Sequence, residues 1–318
     1  MPYTFETRDD CPACGASGTR TIYSTPFSEG GIGTFIRNYY KVDPHLLDAA
    51  PYELQHCDRC DLVYQHHVGS RELLTDVYTK WCFQPADLDV DYPGYKEHLT
   101  EYRLSPSGHE VMTISKFFGL PYDQIKLLDY GMGWGMFIRI AKQLGVDAYG
   151  LELSQPQVEN ARKHGIKIVT DEDLGDHRFH FIHTEQVFEH VTEPLALLER
   201  LSAALLPGGI VKISVPSGEK AGELVTMLKE GRYSGDYPTI MPIHPLEHVN
   251  SFKRRTITTM ADKVGLTPVW PSLLQWYTFI GQRGVSLRRP KKTLKELVRP
   301  VYGKVVRSNI AMWLRKPG

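Results

Sequence analysis

An apolar run, IKLLDY, passes straight into Gly131-Met132-Gly133-Trp134-Gly135 and then into MFIRIAKQLG, whose apolar residues recur at helical spacing. Few local structures accommodate that succession. Glycines at a strand-to-helix junction let the backbone turn sharply and come close to a ligand. The helix that follows presents N–H groups with no partner inside the helix. The alternation then repeats. DAYGLEL is a second strand, and QPQVENARKHG a second helix with Ser154 at its N-cap and Gly165 at its end. IKIV and FHFIHT are the third and fourth strands. EPLALLERLSAALLPGG is a helix opened by proline and closed by glycine, IVKISVP a fifth strand, and RRTITTMADKVG a helix before the last strands LTPVW and WYTFIGQ. Seven short strands with interleaved helices predict an α/β fold with a doubly wound sheet over residues 121–282.

The rest of the chain divides around that block. Residues 1–70 hold two CxxC pairs and many turn residues. Residues 71–120 read as a helical linker or lid, with RELLTDVYTKW as one helix and GHEVMTISKFFG, closed by Leu120-Pro121, as another. Residues 283–318 form a basic tail. Lys plus Arg and Asp plus Glu both number 37, so no net charge draws the chain toward nucleic acid or an anionic membrane. No apolar run approaches the roughly 20 residues that span a bilayer. MPYTFETRDDCPACG has no apolar core of a secretion signal, so the expected location is cytoplasmic.

The glycine turn invites a nucleotide, and the neighbouring charges select which kind. A dinucleotide fingerprint, GxGxxG, requires glycine at 136, where the chain has Met136. Asp129 stands two residues before Gly131, and a carboxylate there repels a pyrophosphate. It suits a cationic ligand such as the methionyl ammonium of S-adenosylmethionine. Glu152 ends the second strand, where a carboxylate accepts hydrogen bonds from both ribose hydroxyls. The adenine amino group is assigned to Asp171 or Asp173, with Asp171 first; the competing reading of both is a solvated loop or helix cap.

LLDYGMGWG, GLELS, FIHTEQVFEHV and LLPGGIVKISVPS together resemble the class I S-adenosylmethionine-dependent methyltransferases over roughly residues 105–282. The resemblance implies a seven-stranded, Rossmann-like methyltransferase sheet. It implies that Asp129, Gly131, Gly133 and Gly135 wrap the methionyl part, that Glu152 holds the ribose, and that Thr184, Glu185 and Gln186 line the sulfonium side. His180 stands in strand four where the family often has Asp, and carries no assigned role.

Cys11-Pro12-Ala13-Cys14-Gly15 and Cys57-Asp58-Arg59-Cys60 each form a turn that directs two thiolates at one ion, and two such turns complete a tetrahedron. Four thiolates leave no open position, so the expected ion is a structural Zn2+ in a small zinc-ribbon module. A redox role for CPAC lacks the βαβ context it needs. Cys82 reads as a buried thiol. CPACG with CDRCDLVYQ ahead of such a domain resembles the sugar C-methyltransferases and related glycan-pathway enzymes. In that likeness LLTDVYTKWCF covers the acceptor, with Tyr78 and Trp81 as lid residues; core aromatics on an amphipathic helix are the plainer alternative.

Methyl transfer to a hydroxyl or carbon acid needs a base. Glu189-His190 follows strand four, and His244-Pro245-Leu246-Glu247-His248 follows strand five. The second group resembles the His-Glu-His stretch of the sugar C-methyltransferases, with His244 displaced by Pro245-Leu246. His248 is the expected base, Glu247 its orienting partner, and His190 the next candidate. HPLEH is not the HExxH spacing, and Pro245 disfavours one helical face, so no catalytic metal is expected there. The basic tail suits a peripheral membrane contact or a phosphorylated or lipid-linked acceptor, or packs as a helix with a solvated basic face. The expected function is methylation of a small-molecule or glycan-type acceptor at oxygen or carbon. An RNA methyltransferase and a non-catalytic S-adenosylmethionine-binding scaffold are the alternatives. Zero net charge and the lack of an NPPY-type or PCQ-type motif count against nucleic acid. The sugar C-methyltransferases also carry a further C-terminal domain that this sequence does not include.

Overall fold

The computed structural model describes residues 2–82, 95–276 and 309–318. The chain forms two compact units, and neither is contiguous in sequence. One comprises Met1–Pro85, Gln186–Glu199 and Val215–Val264; the other comprises Ala86–Glu185, Arg200–Ser214 and Gly265–Gly318.

The second unit is built on seven strands: β6 (Lys126–Tyr130), β7 (Asp147–Leu151), β8 (Lys167–Ile168), β9 (Phe179–Glu185), β10 (Leu205–Pro216), β12 (Thr267–Val269) and β13 (Asn309–Arg315). Their order across the sheet is β12-β13-β10-β9-β6-β7-β8. The pairs β10–β9, β9–β6, β6–β7 and β7–β8 are parallel, and β12–β13 is antiparallel. Order reverses at β6, and in such sheets the crevice beyond the carboxyl ends of the strands at that point binds ligands. This is the doubly wound, Rossmann-like architecture that the alternation of strands and helices predicts. Phe181, Leu127, Ile138, Ile140 and Trp313 belong to its core. The helix Pro106–Phe118 packs here as well. Its ends follow from sequence: Ser105 Oγ accepts from the Gly108 N–H at 3.0 Å, Pro106 opens the first turn, and Gly119 closes it in the left-handed region.

One strand boundary differs from expectation, and one expected strand falls outside the described residues. LLPGG was expected to end a helix, but the helix stops at Ala203 and Leu205 already pairs with Phe179. The register shifts between Leu205 and Ile210, and Pro207-Gly208-Gly209 forms the bulge that takes up the extra residues. A side chain at 209 would meet the Leu206 carbonyl oxygen at 2.9 Å and that of Phe179 at 3.0 Å, so glycine is required there. WYTFIGQ, expected as the last strand, lies from residue 277 onward outside the described residues. The strand beside β10 is instead Asn309–Arg315, from the end of the expected basic tail. Ile310, Met312, Trp313 and Leu314 are buried, and these apolar residues outweigh the flanking charges. Residues 283–308 of the tail are outside the described residues.

In the first unit, β2 (Arg20–Thr25), β3 (Tyr52–His56), β4 (Val63–Gln65) and β11 (Asn250–Ser251) form an antiparallel sheet in the order β11-β4-β3-β2. A separate antiparallel pair joins β1 (Phe5–Thr7) and β5 (His67–Gly69). The core includes Phe27, Phe35, Ile36, Tyr52 and Leu54. The expected helix RELLTDVYTKW forms as Arg71–Asp76, running into a wider turn at Val77–Trp81. Among the described residues, no helix is long and apolar enough to cross a membrane.

Phe181 is fully buried in the parallel sheet. Phe181→Ala should lower stability by about 3–5 kcal/mol, read from the shift in the urea midpoint at unchanged slope.

Candidate functional site

The glycine turn stands between β6 and the helix Met136–Gln143. Gly131, Gly133 and Gly135 have φ of 72°, 54° and 77°, a region other residues adopt only at a cost. The Gly131 and Met132 N–H groups donate to the Leu151 carbonyl at 2.9 and 3.1 Å, anchoring the turn to the end of β7. Glu152 follows directly. Its Oε2 accepts from the Gly133 N–H at 3.0 Å, and its Oε1 from the Leu153 and Ser154 N–H groups at 2.7 and 3.0 Å. Turn and carboxylate are thus one hydrogen-bonded unit. From the helix Tyr95–Thr100, the Tyr95 hydroxyl donates to the Trp134 carbonyl at 2.9 Å.

Asp129 is buried on β6, and its Oδ1 accepts from His183 Nδ1 on β9 at 2.8 Å. Asp171 is half-exposed, ion-paired with Arg200, and accepts from the Tyr130 hydroxyl at 3.1 Å. Asp173 instead accepts from the Thr170 N–H, as a turn residue does. Thr184 lies fully inside the sheet with its hydroxyl donating to the Lys212 carbonyl, so its side chain does not line an open surface. Glu185 ends β9 with a partly exposed carboxylate. Gln186 follows with φ 55°, and its amide nitrogen is buried with no hydrogen-bond partner among the described residues. His180 lies at the opposite end of β9, where its Nδ1 accepts from the Lys126 N–H at 3.0 Å. It caps the start of β6 and takes no part near the glycine turn.

In the other unit, all four cysteines of the two pairs converge and are buried. Cys11 and Cys60 sulfurs lie 3.6 Å apart, and those of Cys14 and Cys57 3.5 Å apart. A tetrahedral ion with metal–sulfur bonds of about 2.3 Å sets its sulfurs roughly 3.8 Å apart, so the donors fit. Cys57 and Cys60 sit in the turn joining β3 to β4, and Cys11 and Cys14 in the loop between β1 and β2. Gly15 and Asp61, one residue past each pair, both have positive φ, 65° and 69°.

His190, His244 and His248 gather in this same unit around Glu247. His248 Nδ1 meets the Met241 carbonyl, and His190 Nδ1 lies 3.0 Å from the Glu247 carbonyl. A carbonyl only accepts, so both Nδ1 atoms carry the proton and both Nε2 atoms keep a lone pair. The Glu247 carboxylate turns to His244, not to His248: its Oε2 lies 3.2 Å from His244 Nδ1 and accepts from the Tyr40 hydroxyl at 2.7 Å. The Cys82 thiol donates to Oε1 at 3.3 Å. Burial alone would push the Glu247 carboxyl up, but His244, Tyr40 and His190 outweigh it and hold it down at about 2. Burial, with His190 and His244 nearby, brings His248 down to about 3. His244 Nε2 is buried with no hydrogen-bond partner among the described residues. Glu189, His190 and His248 also bring one donor atom each to within 4.8 Å of one another, a set able to hold a metal ion. Tyr78 meets His190 Nδ1 at 3.1 Å, and Trp81 packs edge-on against Tyr3.

His244 was named from the sequence without a role, and Arg8 was not named at all. His244 is the imidazole that the carboxylate backs, and its three-residue spacing from Glu247 was the available signal. Arg8 is buried and donates to the Gln65, Thr192 and Val249 carbonyls and to Asn250 Oδ1. Asn250 Nδ2 in turn donates to the Phe188 and Val191 carbonyls on either side of Glu189-His190. Nothing in the local sequence marks Arg8.

Residues 99–270 match a family model described as a methyltransferase domain. The ubiquinone biosynthesis O-methyltransferase of Cereibacter sphaeroides (strain ATCC 17025 / ATH 2.4.3) is 34% identical over 105 residues, which are 30% of this chain and 42% of that protein. That of Dinoroseobacter shibae (strain DSM 16493 / NCIMB 14021 / DFL 12) is 31% identical over 142 residues, 42% of this chain and 54% of that protein. The chain thus spans about half or less of the length of these curated relatives. Among solved structures, the plantazolicin methyltransferase BamL in complex with a triazolic desmethylPZN analog and SAH is 14% identical with a TM-score of 0.47, covering 77% of this chain and 95% of that one. A strand order that reverses at β6, a glycine turn locked to Glu152, and the family match over residues 99–270 lead to one conclusion: this chain belongs to the methyltransferase domain family.

Proposed function

We propose that this chain is an S-adenosylmethionine-dependent methyltransferase acting on a small-molecule acceptor. The observation that carries this reading is the positive-φ glycine turn whose Gly133 N–H is held by Glu152, with Asp129 two residues before its first glycine. When bound, S-adenosylmethionine supplies a methyl group on a positive sulfonium. The chain's part is to orient the donor and acceptor and to manage the acceptor's proton.

Gly131, Gly133 and Gly135 let the backbone close on the methionyl part. Glu152 takes the ribose. A carboxylate offers about four lone-pair positions, and three backbone N–H groups already occupy Glu152. Receiving both ribose hydroxyls therefore means exchanging at least one of them. Asp171 meets the adenine amino group by turning from Arg200, and Glu185 and Gln186 border the sulfonium side. Proton removal falls to the three imidazoles, each with a lone pair on Nε2. Burial weakens His248 and His190 as bases, so they hold the acceptor. His244, whose Nδ1 faces the Glu247 carboxylate, is assigned the role of base.

The ubiquinone O-methyltransferases among the relatives support oxygen as the methylated atom. The likeness of CPACG and CDRC to the sugar C-methyltransferases supports a glycan-type acceptor, with Tyr78 and Trp81 over it. Cys11, Cys14, Cys57 and Cys60 hold a structural Zn2+, since the sulfur spacing suits it and no position stays open.

Calorimetry should show S-adenosylmethionine binding to the wild type, with Asp129→Ala and Glu152→Ala each weakening it at least about ten-fold. Wild-type protein that binds none would refute the cofactor assignment. Elemental analysis should find about one zinc per chain, lost in Cys57→Ser together with a drop in Tm. Labelled S-adenosylmethionine with fractionated cell extract should yield a labelled small molecule. With that acceptor, His244→Asn should lower kcat by about 10²–10⁴-fold; an unchanged kcat would exclude His244 as base.

A further inference from the structure

Asp129, His183 and Lys212 are register partners on the three neighbouring strands β6, β9 and β10, so their side chains form one row across the sheet. All three are buried. Lys212 Nζ reaches His183 Nε2 at 3.2 Å, Glu110 Oε1 and Oε2 at 2.8 and 2.9 Å, and Glu185 Oε2 at 3.1 Å. An ammonium can only donate, so Nε2 of His183 is the acceptor. The imidazole proton must then sit on Nδ1, where it is donated to Asp129. The stacked ring of Phe137, 3.8 Å away between centroids, holds the imidazole flat in that orientation. Burial alone would lower the Lys212 ammonium, but Glu110 and Glu185 outweigh it and raise it, so it stays charged.

The formal charges in the row do not cancel. Among the described residues, three carboxylates (Asp129, Glu110, Glu185) face one ammonium and an imidazole that accepts from it, a formal excess of two negative charges. An excess of one sign held partly out of water favours a counter-charge that joins it. The row opens at the carboxyl end of the sheet, where the partly exposed Glu185 carboxylate is also fixed by the Ser214 hydroxyl at 2.8 Å. S-adenosylmethionine brings a positive sulfonium, and its by-product S-adenosylhomocysteine has a neutral thioether in that place. We infer that this row sets the charge preference of the cofactor site, favouring the sulfonium donor over the spent thioether, with His183 and Lys212 as positioning residues that hold Asp129 and Glu185 in place. The inference rests on the cofactor assignment above. It adds a role for three residues, Glu110, His183 and Lys212, that no glycine-turn motif includes. Its consequence is product release: loss of the methyl group removes the positive charge that the row attracts.

Calorimetry of the full chain with S-adenosylmethionine, S-adenosylhomocysteine and sinefungin, whose amine-bearing carbon replaces the sulfonium, reads this directly. Glu185→Gln removes one negative charge at the exposed end of the row and keeps the side chain's shape. It should weaken both cationic ligands by about 5–10-fold and the thioether by less than about two-fold. His183→Leu takes the donor from Asp129 and should shift the same ratio by about ten-fold, while His183→Asn, which keeps an N–H, should shift it less. If Glu185→Gln weakens all three ligands alike, or none, the inference is overturned while the cofactor assignment stands. If the wild type binds none of the three, the assignment fails and the inference fails with it.

Discussion

The hydrogen bond from His183 to Asp129 joins the two strands on which the parallel sheet is centred. Strand pairing alone tolerates a slip, but a slip of one residue turns every side chain to the opposite face. Here it would strand a buried carboxylate and a buried ammonium without partners, at a cost of several kcal/mol. Polar pairing therefore fixes the register where hydrophobic packing on both faces would leave it loose. Asp129 lies two residues before the first glycine of the turn, so the same bond fixes where that turn leaves the sheet. Leu151 and Glu152 then hold the turn from the neighbouring strand.

The cysteine-bearing unit solves a different problem. It is assembled from three separated stretches of chain, and its small sheets leave many backbone groups to satisfy. Arg8 meets several of them at once. Its fixed fork of donors matches carbonyls on β4, on the residue before β11 and beyond His190, so one side chain gathers three stretches. Asn250 extends the same network to the turn that carries Glu189 and His190. The histidine group is thus positioned by polar contacts to backbone, while the four cysteines close the hairpin end of the sheet.

Much of the fold was legible in the sequence because its signals are local. Periodicity marked β6, β7 and β9, and GHEVMTISKFFG marked the helix Pro106–Phe118 except for its first two residues. The glycine turn and Glu152 were legible because positive φ and strand-end position are sequence-local properties. What escaped depends on partners far along the chain. β13 is seven residues whose pairing with β12 and β10 no local pattern announces. The orientation of Glu247 toward His244 depends on Tyr40 and Cys82, more than 150 residues away in the chain. The charge row involves Glu110, which no motif includes, and His183 and Lys212, which lie inside FIHTEQVFEHV and LLPGGIVKISVPS but had no role assigned there. Thr184 was expected on an open surface because its motif neighbours are; strand alternation instead turns it into the sheet.

β13 fills a slot inside the sheet, between β12 and β10, although it comes after every other described strand in the chain. A ribosome delivers the chain from its first residue onward. Until residue 315 has cleared the exit tunnel, β10 presents an unpaired edge of buried-type residues, Ile210, Val211, Ile213 and Val215. Such an edge readily recruits other nascent chains. The interval between synthesis of β10 and arrival of Asn309–Arg315 is therefore when this protein most needs a chaperone, and late, non-local closure of the sheet makes its yield in a cell sensitive to translation speed.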